Sequence, residues 1–413
     1  MSTQEKKHPE ILAPAGNLDK LRFAVHYGAD AVYLGGSVFN LRIRAGNFTR
    51  AELELGIDFC RQNGVKSIFL LNAFLRENDI APLKEYIKDI KNLRFDACVV
   101  SDPGMLLALR EAGIETEFHL STQMNTLNHI SVKFWEDAGI NRVVLGREAS
   151  LEEIKAIRAN TELDIEIFAH GALCVAYSGR CLLSRYLSGR DANHGDCAQP
   201  CRWKYRLIEE KRDNEFFEIT EDEGGTEILS SKDLCLIELL PEYIKAGVSS
   251  FKIEGRMKSL YYAANTTRVY AQARDNAGSD AFASLLPFWK EELELVSHRP
   301  YTADLFNEFD NGGFTGVPYI NKAMFMGYKL STGDDKRSAW VKTANPIYAN
   351  DELDAIFPLD KKNRDDRFRV LKILDSNNAS LEMARPNGFY NILFDADVDD
   401  YAIFRKRETG KNQ

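Results

Sequence analysis

The chain repeats one phrase. A stretch with helical spacing closes on a turn such as Tyr-Gly-Ala-Asp or Ala-Gly-Ile and runs straight into a short apolar segment. The phrase occurs at Tyr27 to Gly35, Asn63 to Asn72, Phe95 to Asp102, Ala112 to Thr122, Ala138 to Arg147, Leu163 to Gly171 and Ala246 to Arg256. With an opening strand over Glu10 to Pro14 these make eight strands. Between them, helical periodicity covers Leu18 to His26, Ala51 to Arg61, Ala81 to Ile90, Met105 to Ala112, Ile130 to Asp137 and Leu151 to Ala159. The apolar segments do not alternate, as expected of parallel strands buried on both faces. A glycine just past a helix end supplies the left-handed residue that a helix stop favours. Eight such units predict a closed eight-stranded β/α barrel of the TIM type. A doubly wound open sheet is the rival, disfavoured because no strand leads into a G-x-G-x-x-G turn.

Two changes of texture follow. Between Arg202 and Ser231 lies a charged insertion that alternates like a hairpin. From about Thr302 onward the chain breaks into short alternating segments (Ala339-Trp-Val-Lys, Leu353-Asp-Ala-Ile-Phe, Arg367-Phe-Arg-Val-Leu-Lys-Ile, Tyr401-Ala-Ile-Phe-Arg) separated by Asn, Asp, Gly and Pro. This predicts a small all-β domain of barrel type. The expected organisation is a β/α barrel over residues 1–300, carrying a cysteine segment at 166–202 and a hairpin insertion at 203–231, and a β-rich domain over 301–413.

Composition adds limits. At 413 residues the chain exceeds what one hydrophobic core fills. A net charge of −9 argues against indiscriminate phosphate binding but permits a local basic face. The first ten residues lack the apolar centre of a signal peptide, and no later run is long enough to cross a bilayer. The expectation is a cytoplasmic protein with reduced thiols and no membrane partner.

Against that background the cysteines stand out. Four of seven fall between Cys174 and Cys201, spaced Cys-x6-Cys-x15-Cys-x3-Cys among glycines and a proline that can turn several thiolates to one point. Tight Cys-x2-Cys zinc knuckles are absent. Four thiolates on a loop-rich segment suit a cubane iron–sulfur cluster, with zinc as the alternative and disulfides third. Cys235 is a spare that could displace one of the four.

The strand ends are polar in a way packing does not require. They offer Arg42 and Arg44 after the second strand, Asn72, Asp102, Ser121-Thr122-Gln123, Arg147-Glu148, His170 and Glu254-Gly255-Arg256. In a barrel the chemistry sits at this rim, and the cysteine segment begins there. Paired arginines can fork a carboxylate. Asp102-Pro-Gly reads better as a helix-starting turn, and His119, inside a strand, as a satisfied interior histidine. His170 could donate to a cluster sulfur or to substrate, or cap the turn. Glu254 and Arg256 could form a salt bridge or handle protons and anions. No serine-nucleophile elbow, H-E-x-x-H, P-loop or kinase signature occurs.

The run Glu166-Ile-Phe-Ala-His-Gly-Ala-Leu-Cys174, continuing through Ser178-Gly-Arg-Cys181 and Asn193-His-Gly-Asp-Cys197 to Gln199-Pro-Cys201-Arg202, resembles the signature of the collagenase-like peptidases of unassigned catalytic type, peptidase family U number thirty-two. Leu12-Ala-Pro-Ala-Gly-Asn, Ala29-Asp-Ala-Val-Tyr-Leu-Gly, Arg44-Ala-Gly-Asn-Phe and Lys252-Ile-Glu-Gly-Arg256 fit it too. The branch it is most similar to is the prephenate-dependent tRNA uridine 5-hydroxylases. That resemblance implies a [4Fe-4S] cluster on Cys174, Cys181, Cys197 and Cys201, the last being the ligand whose position varies among relatives. It implies prephenate as co-substrate and wobble uridine of tRNA as the target, with a related family subunit as a conceivable heteromeric partner.

On this reading Arg44, Asn72, Gln123, Arg147 and Arg256 bind substrate, and Glu254 and His170 are the catalytic candidates. Lys361-Lys-Asn-Arg364 and Arg405-Lys-Arg407 would touch the RNA backbone. The rival readings are a collagenase-like peptidase and a zinc-bearing, non-catalytic scaffold.

Overall fold

The computed structural model describes residues 8–43, 46–174, 176–202, 221–222, 225–226, 232–303, 319–359 and 366–407. Its first part is the expected barrel. Strands β1 (Glu10–Pro14), β2 (Ala31–Leu34), β3 (Lys66–Leu71), β4 (Ala97–Val100), β5 (Glu117–Leu120), β6 (Arg142–Val144) and β7 (Asp164–Ala172) pair in sequence order, all parallel. A short strand β8 (Asp233–Cys235) runs antiparallel along the end of β7, and β9 (Ser250–Ile253) pairs with both β7 and β1, which closes the cylinder.

The helices start and stop where local chemistry says they should. Thr49 with Glu52 and Ser150 with Glu153 form reciprocal capping boxes. Asp102 caps the helix that Pro103 opens, accepting from Gly104 N. Gly139 and Gly247 take φ of 81° and 85° just past their helices, a region where a side chain would be strained.

The barrel interior is layered. Leu12, Ala31, Tyr33, Ile68, Leu70, Ala97 and Val99 make an apolar cluster against one wall. The opposite wall is ionic and buried. Arg142 reaches Glu10 at 2.6 Å and Glu166 at 3.3 Å, and Lys252 reaches Glu166 at 3.0 Å. His119, as expected, is an interior group and sits 3.3 Å from Glu117.

After β9 come the helices Leu260–Asn276 and Ala281–Glu294, the first of them buried on nearly every face. The last part of the chain is a second cylinder. Strands β10 (Ala323–Thr332), β11 (Ser338–Thr343), β12 (Glu352–Ile356), β13 (Asp366–Leu374), β14 (Phe389–Phe394) and β15 (Ile403–Arg407) close antiparallel in the order β12-β15-β10-β11-β14-β13 and back to β12. The expected hairpin insertion lies mostly outside the described residues; within it Glu221–Asp222 pairs antiparallel with Gly225–Thr226. Among the described residues no helix is long and apolar enough to cross a membrane.

Candidate active site at the barrel mouth

A cavity of ≈ 190 Å³ opens at the carboxyl ends of the strands. Its apolar wall is Leu70, Val144 and Phe168, and its polar lining includes Arg42, Asn72, Gln123, Arg147, Lys252, Glu254 and Arg256. Cys174, Cys181, Cys197 and Cys201 all border it. All seven cysteines are reduced, which sets the disulfide reading aside. Among the described residues no three of His, Cys, Asp and Glu converge as they would around a single metal ion.

The segment that carries the thiols is pinned from several sides. Cys181 N donates to Asn193 Oδ1 at 3.1 Å, and Asn193 Nδ2 donates back to Cys181 O at 3.0 Å. Ser178, in a left-handed turn, donates its N–H to Glu148 Oε1 at 2.5 Å and its hydroxyl to Asn125 Oδ1 at 2.6 Å. Arg180 Nε donates to Gln123 O at 2.7 Å, and Arg190 Nη2 to Cys197 O at 3.1 Å. Gln199 N donates to Cys197 Sγ at 3.3 Å. The loop seats on the barrel because Gly195 has no side chain: a Cβ there would meet Asn40 O at 2.4 Å.

The cations differ in how they are held. Arg256 is buried; its Nη2 donates to Asn40 Oδ1 at 2.9 Å, to Arg42 O and to Asn47 Oδ1, whereas Nε and Nη1, both sealed from solvent, find no partner among the described residues. It fits only because position 35 is glycine, where a Cβ would lie 2.7 Å from Nη1. Burial lowers its pKa to about 10, with Arg42 adding to the effect. Arg42 lies 3.7 Å from Glu254. Burial works against its charge, but Glu254 and the sulfurs of Cys197 and Cys174 raise its pKa overall. Arg147 lies over the Phe168 ring at 3.9 Å, which leaves its guanidinium at the cavity wall.

Asn72 Oδ1 accepts from Leu41 N at 3.4 Å, and Gln123 Oε1 accepts from Ser101 Oγ at 3.1 Å.

The mouth therefore gathers the four cysteines with Asn72, Gln123, Arg147, Glu254 and Arg256. Arg44 lies outside the described residues. His170 is placed elsewhere: it is buried behind β7 among Tyr262, Tyr270 and Tyr301, with Nδ1 3.4 Å from Tyr270 Oη, and does not line the cavity. Burial depresses its pKa to about 3, so it is neutral. Cys235 is on that same hidden side, 3.8 Å from Tyr270 Oη, and burial pushes its thiol up to about 11.

Arg405-Lys-Arg407 is not a free basic patch. Arg405 is buried in a two-point ion pair with Glu292 at 2.8 Å for each contact, Lys406 pairs with Asp351 and Arg407 with Glu291 and Asp354. Lys361 to Arg364 lie outside the described residues.

Two residues carried a weaker sequence signal. Lys252 sits inside an apolar strand, and Glu148 follows Arg147 as though merely its neighbour; only their inward direction reveals them.

Residues 16–312 match the model of peptidase family U32. The tRNA hydroxylation protein P1 of Bacillus subtilis (strain 168) is 37% identical over 364 residues, covering 85% of this chain and 84% of that one. The tRNA hydroxylation protein P of Escherichia coli (strain K12) is 38% identical over 400 residues, covering 85% and 86%. A protein named collagenase, from Porphyromonas gingivalis (strain ATCC BAA-308 / W83), is 34% identical over 305 residues, covering 71% and 72%.

Proposed function

The chain belongs to peptidase family U32, and from that premise together with the chemistry of the mouth we propose that it is an RNA-hydroxylating enzyme. Its proposed reaction is 5-hydroxylation of wobble uridine in tRNA with a prephenate-like dicarboxylate as co-substrate. The observation that carries this reading is the sharing of one cavity by four reduced cysteines and three arginines.

Cys174, Cys181, Cys197 and Cys201 would hold a [4Fe-4S] cluster, which supplies electron handling at the mouth when bound. All four border the one cavity, and four cysteine thiolates are the ligand set that such a cluster takes.

The chain's own side chains do the rest. Arg256, buried at the rim, braces Asn40, Asn47 and the Arg42 carbonyl, and Arg42 and Arg147 bring positive charge to the cavity for a carboxylate. Leu70, Val144 and Phe168 shield the reacting ring from water. Glu254, held by Arg42, is in reach of the cavity to accept a proton at a carboxylate oxygen.

The peptidase reading finds no cysteine–histidine pair in the cavity among the described residues: His170 does not share it with Cys174, and the Ser178 hydroxyl is engaged by Asn125 and by the Glu148 carboxylate.

The test is nucleoside mass spectrometry of tRNA from cells lacking the protein. 5-Hydroxyuridine-derived nucleosides should vanish, return with the wild-type gene and stay absent with Cys181→Ala. Unchanged levels in the deletion strain would sink the proposal.

A further inference from the structure

Arg405 to Arg407 are engaged in ion pairs, and among the described residues the cysteine segment presents another surface for RNA. Leu182 and Tyr186 stand one helical turn apart, Tyr186 N donating to Leu182 O at 2.9 Å, and they are 75% and 85% exposed. Tyr177, 50% exposed, flanks the cavity-lining Ser178 and Gly179, and Leu182 directly follows the cavity-lining Cys181. Met257, itself part of the lining, adds a further exposed apolar group. Packing does not require large side chains in water on a short helix, and an exposed cluster of this kind marks an interaction site.

Charge selects the partner. From Cys174 to Cys201 and on to Arg202 the chain carries four arginines against two aspartates, in a protein whose net charge is −9. Arg185, on the same helix as Tyr186, is held 3.7 Å from Asp191, and Arg76 reaches the same carboxylate at 2.5 Å. Both arginines are exposed and meet Asp191, and Arg76 also faces Asp79, which His194 reaches at 2.9 Å, so the positive charge beside the aromatic rings is that of the segment as a whole, four arginines to two aspartates. Exposed tyrosines next to excess arginine charge are what unstacked nucleotides require: a flat face for the base and cations for the phosphates.

Resting on the RNA-hydroxylation reading, we propose that the helix Leu183–Ser188 and its flanks dock a single-stranded RNA loop. Tyr186 and Tyr177 stack bases adjoining the one that enters the cavity, and Arg185 and Arg76 neutralise phosphates. The surface thus chooses a loop over a duplex, because only in a loop are base faces free.

The experiment measures binding of the full-length protein to a fluorescent, unmodified anticodon stem-loop and to a duplex of matched length, by anisotropy over a range of salt. Wild type should prefer the loop. Tyr186→Ala should weaken loop binding by about tenfold, in line with the loss of one base stack, while Tyr186→Phe retains it. Arg185→Gln should lower the slope of log affinity against log salt by about one. Melting temperatures of all three should match wild type, since these side chains face water.

Tight loop binding indifferent to Tyr186→Ala would overturn the docking surface and leave the hydroxylation reading standing. Failure of the wild type to bind RNA, with modification still lost in the deletion strain, would also overturn it, because a second protein would then deliver the RNA. Modification unchanged in the deletion strain would remove the reading beneath it.

Discussion

On the proposed reading, Arg256 is the residue on which co-substrate recognition turns. Its guanidinium borders the cavity while Nη2 braces Asn40, Asn47 and the Arg42 carbonyl, so it both adds positive charge for a carboxylate and holds the rim that would receive one. Arg256→Lys keeps a charge but loses the planar fork. Binding of a prephenate-like dicarboxylate, followed by titration calorimetry, should weaken roughly 10- to 100-fold, the equivalent of one or two charged hydrogen bonds at about 1.5 kcal/mol each. An unchanged affinity would take Arg256 out of the co-substrate site.

His170 gives a prediction of the opposite kind. Its folded pKa is depressed to about 3 from an ordinary 6.5. The unfolded chain therefore binds a proton that the folded chain refuses, and the histidine's favourable contribution, full above pH 6.5, is lost as pH falls from there toward 3. His170→Phe should flatten that part of the stability profile in urea titrations. It should leave the dependence above pH 7 unaltered.

Both residues were visible in the sequence as polar groups at strand ends, and only one serves the mouth. The difference is direction. Arg256 lies beyond the end of β9 and turns into the cavity, whereas His170 lies within β7 and faces the helix layer, a choice of face that depends on register and not on residue type.

At the scale of elements, the strand-and-turn phrase made the barrel legible, because parallel strands buried on both faces leave an unbroken apolar mark. The ionic wall inside the barrel left no such mark. Glu166 and Lys252 stand in runs that read as ordinary strand, and pairing across the barrel depends on closure between β7 and β9. Burial alone would raise the Glu166 carboxyl, but Lys252 and Arg142 hold it below its ordinary value, so it is charged. Glu166→Ala leaves two buried cations with a reduced share of partners and should cost about 3–5 kcal/mol in urea unfolding.

The cysteine segment shows the same division. Spacing singled out four cysteines that border one cavity, but the hydrogen bonds that brace their segment come from Asn193, Asn125 and Glu148, polar residues in irregular chain. Asn193→Ala removes both bonds to the Cys181 backbone. Anaerobically reconstituted protein with this change should hold less iron per chain by metal analysis, with an unaltered melting temperature for the metal-free form. Full iron loading would show that the loop needs no such brace.

At the scale of the whole molecule, the two cylinders are joined through buried chemistry. Tyr27 Oη lies 2.8 Å from both Ile356 O and Tyr401 O, which share its one proton, Tyr328 Oη donates to Asp19 at 2.6 Å, and Tyr328, Ile356 and Ile403 belong to the barrel's own core cluster. The centre of the junction is Glu292, which takes Arg405 at two points and Arg268 at 2.6 Å. The run Arg405-Lys-Arg407 resembled a surface patch because consecutive charges look alike in sequence. On a strand, however, alternate residues face opposite sides, so Arg405 and Arg407 point to the helix Ala281–Glu294 and Lys406 points to Asp351.

This arrangement predicts a contrast between neighbours. Arg405→Ala strips a fully buried carboxylate of its principal partner and should destabilise by about 3–5 kcal/mol. Lys406→Ala breaks a half-exposed pair and should cost less than about 1 kcal/mol. Calorimetry of the wild type should give one cooperative transition, because the shared core ties the cylinders together. Arg405→Ala should bring the β domain's melting forward and split that transition in two. If the single transition persisted with an unchanged midpoint, the junction would owe its strength to the tyrosines and the apolar contact rather than to the buried ion pair.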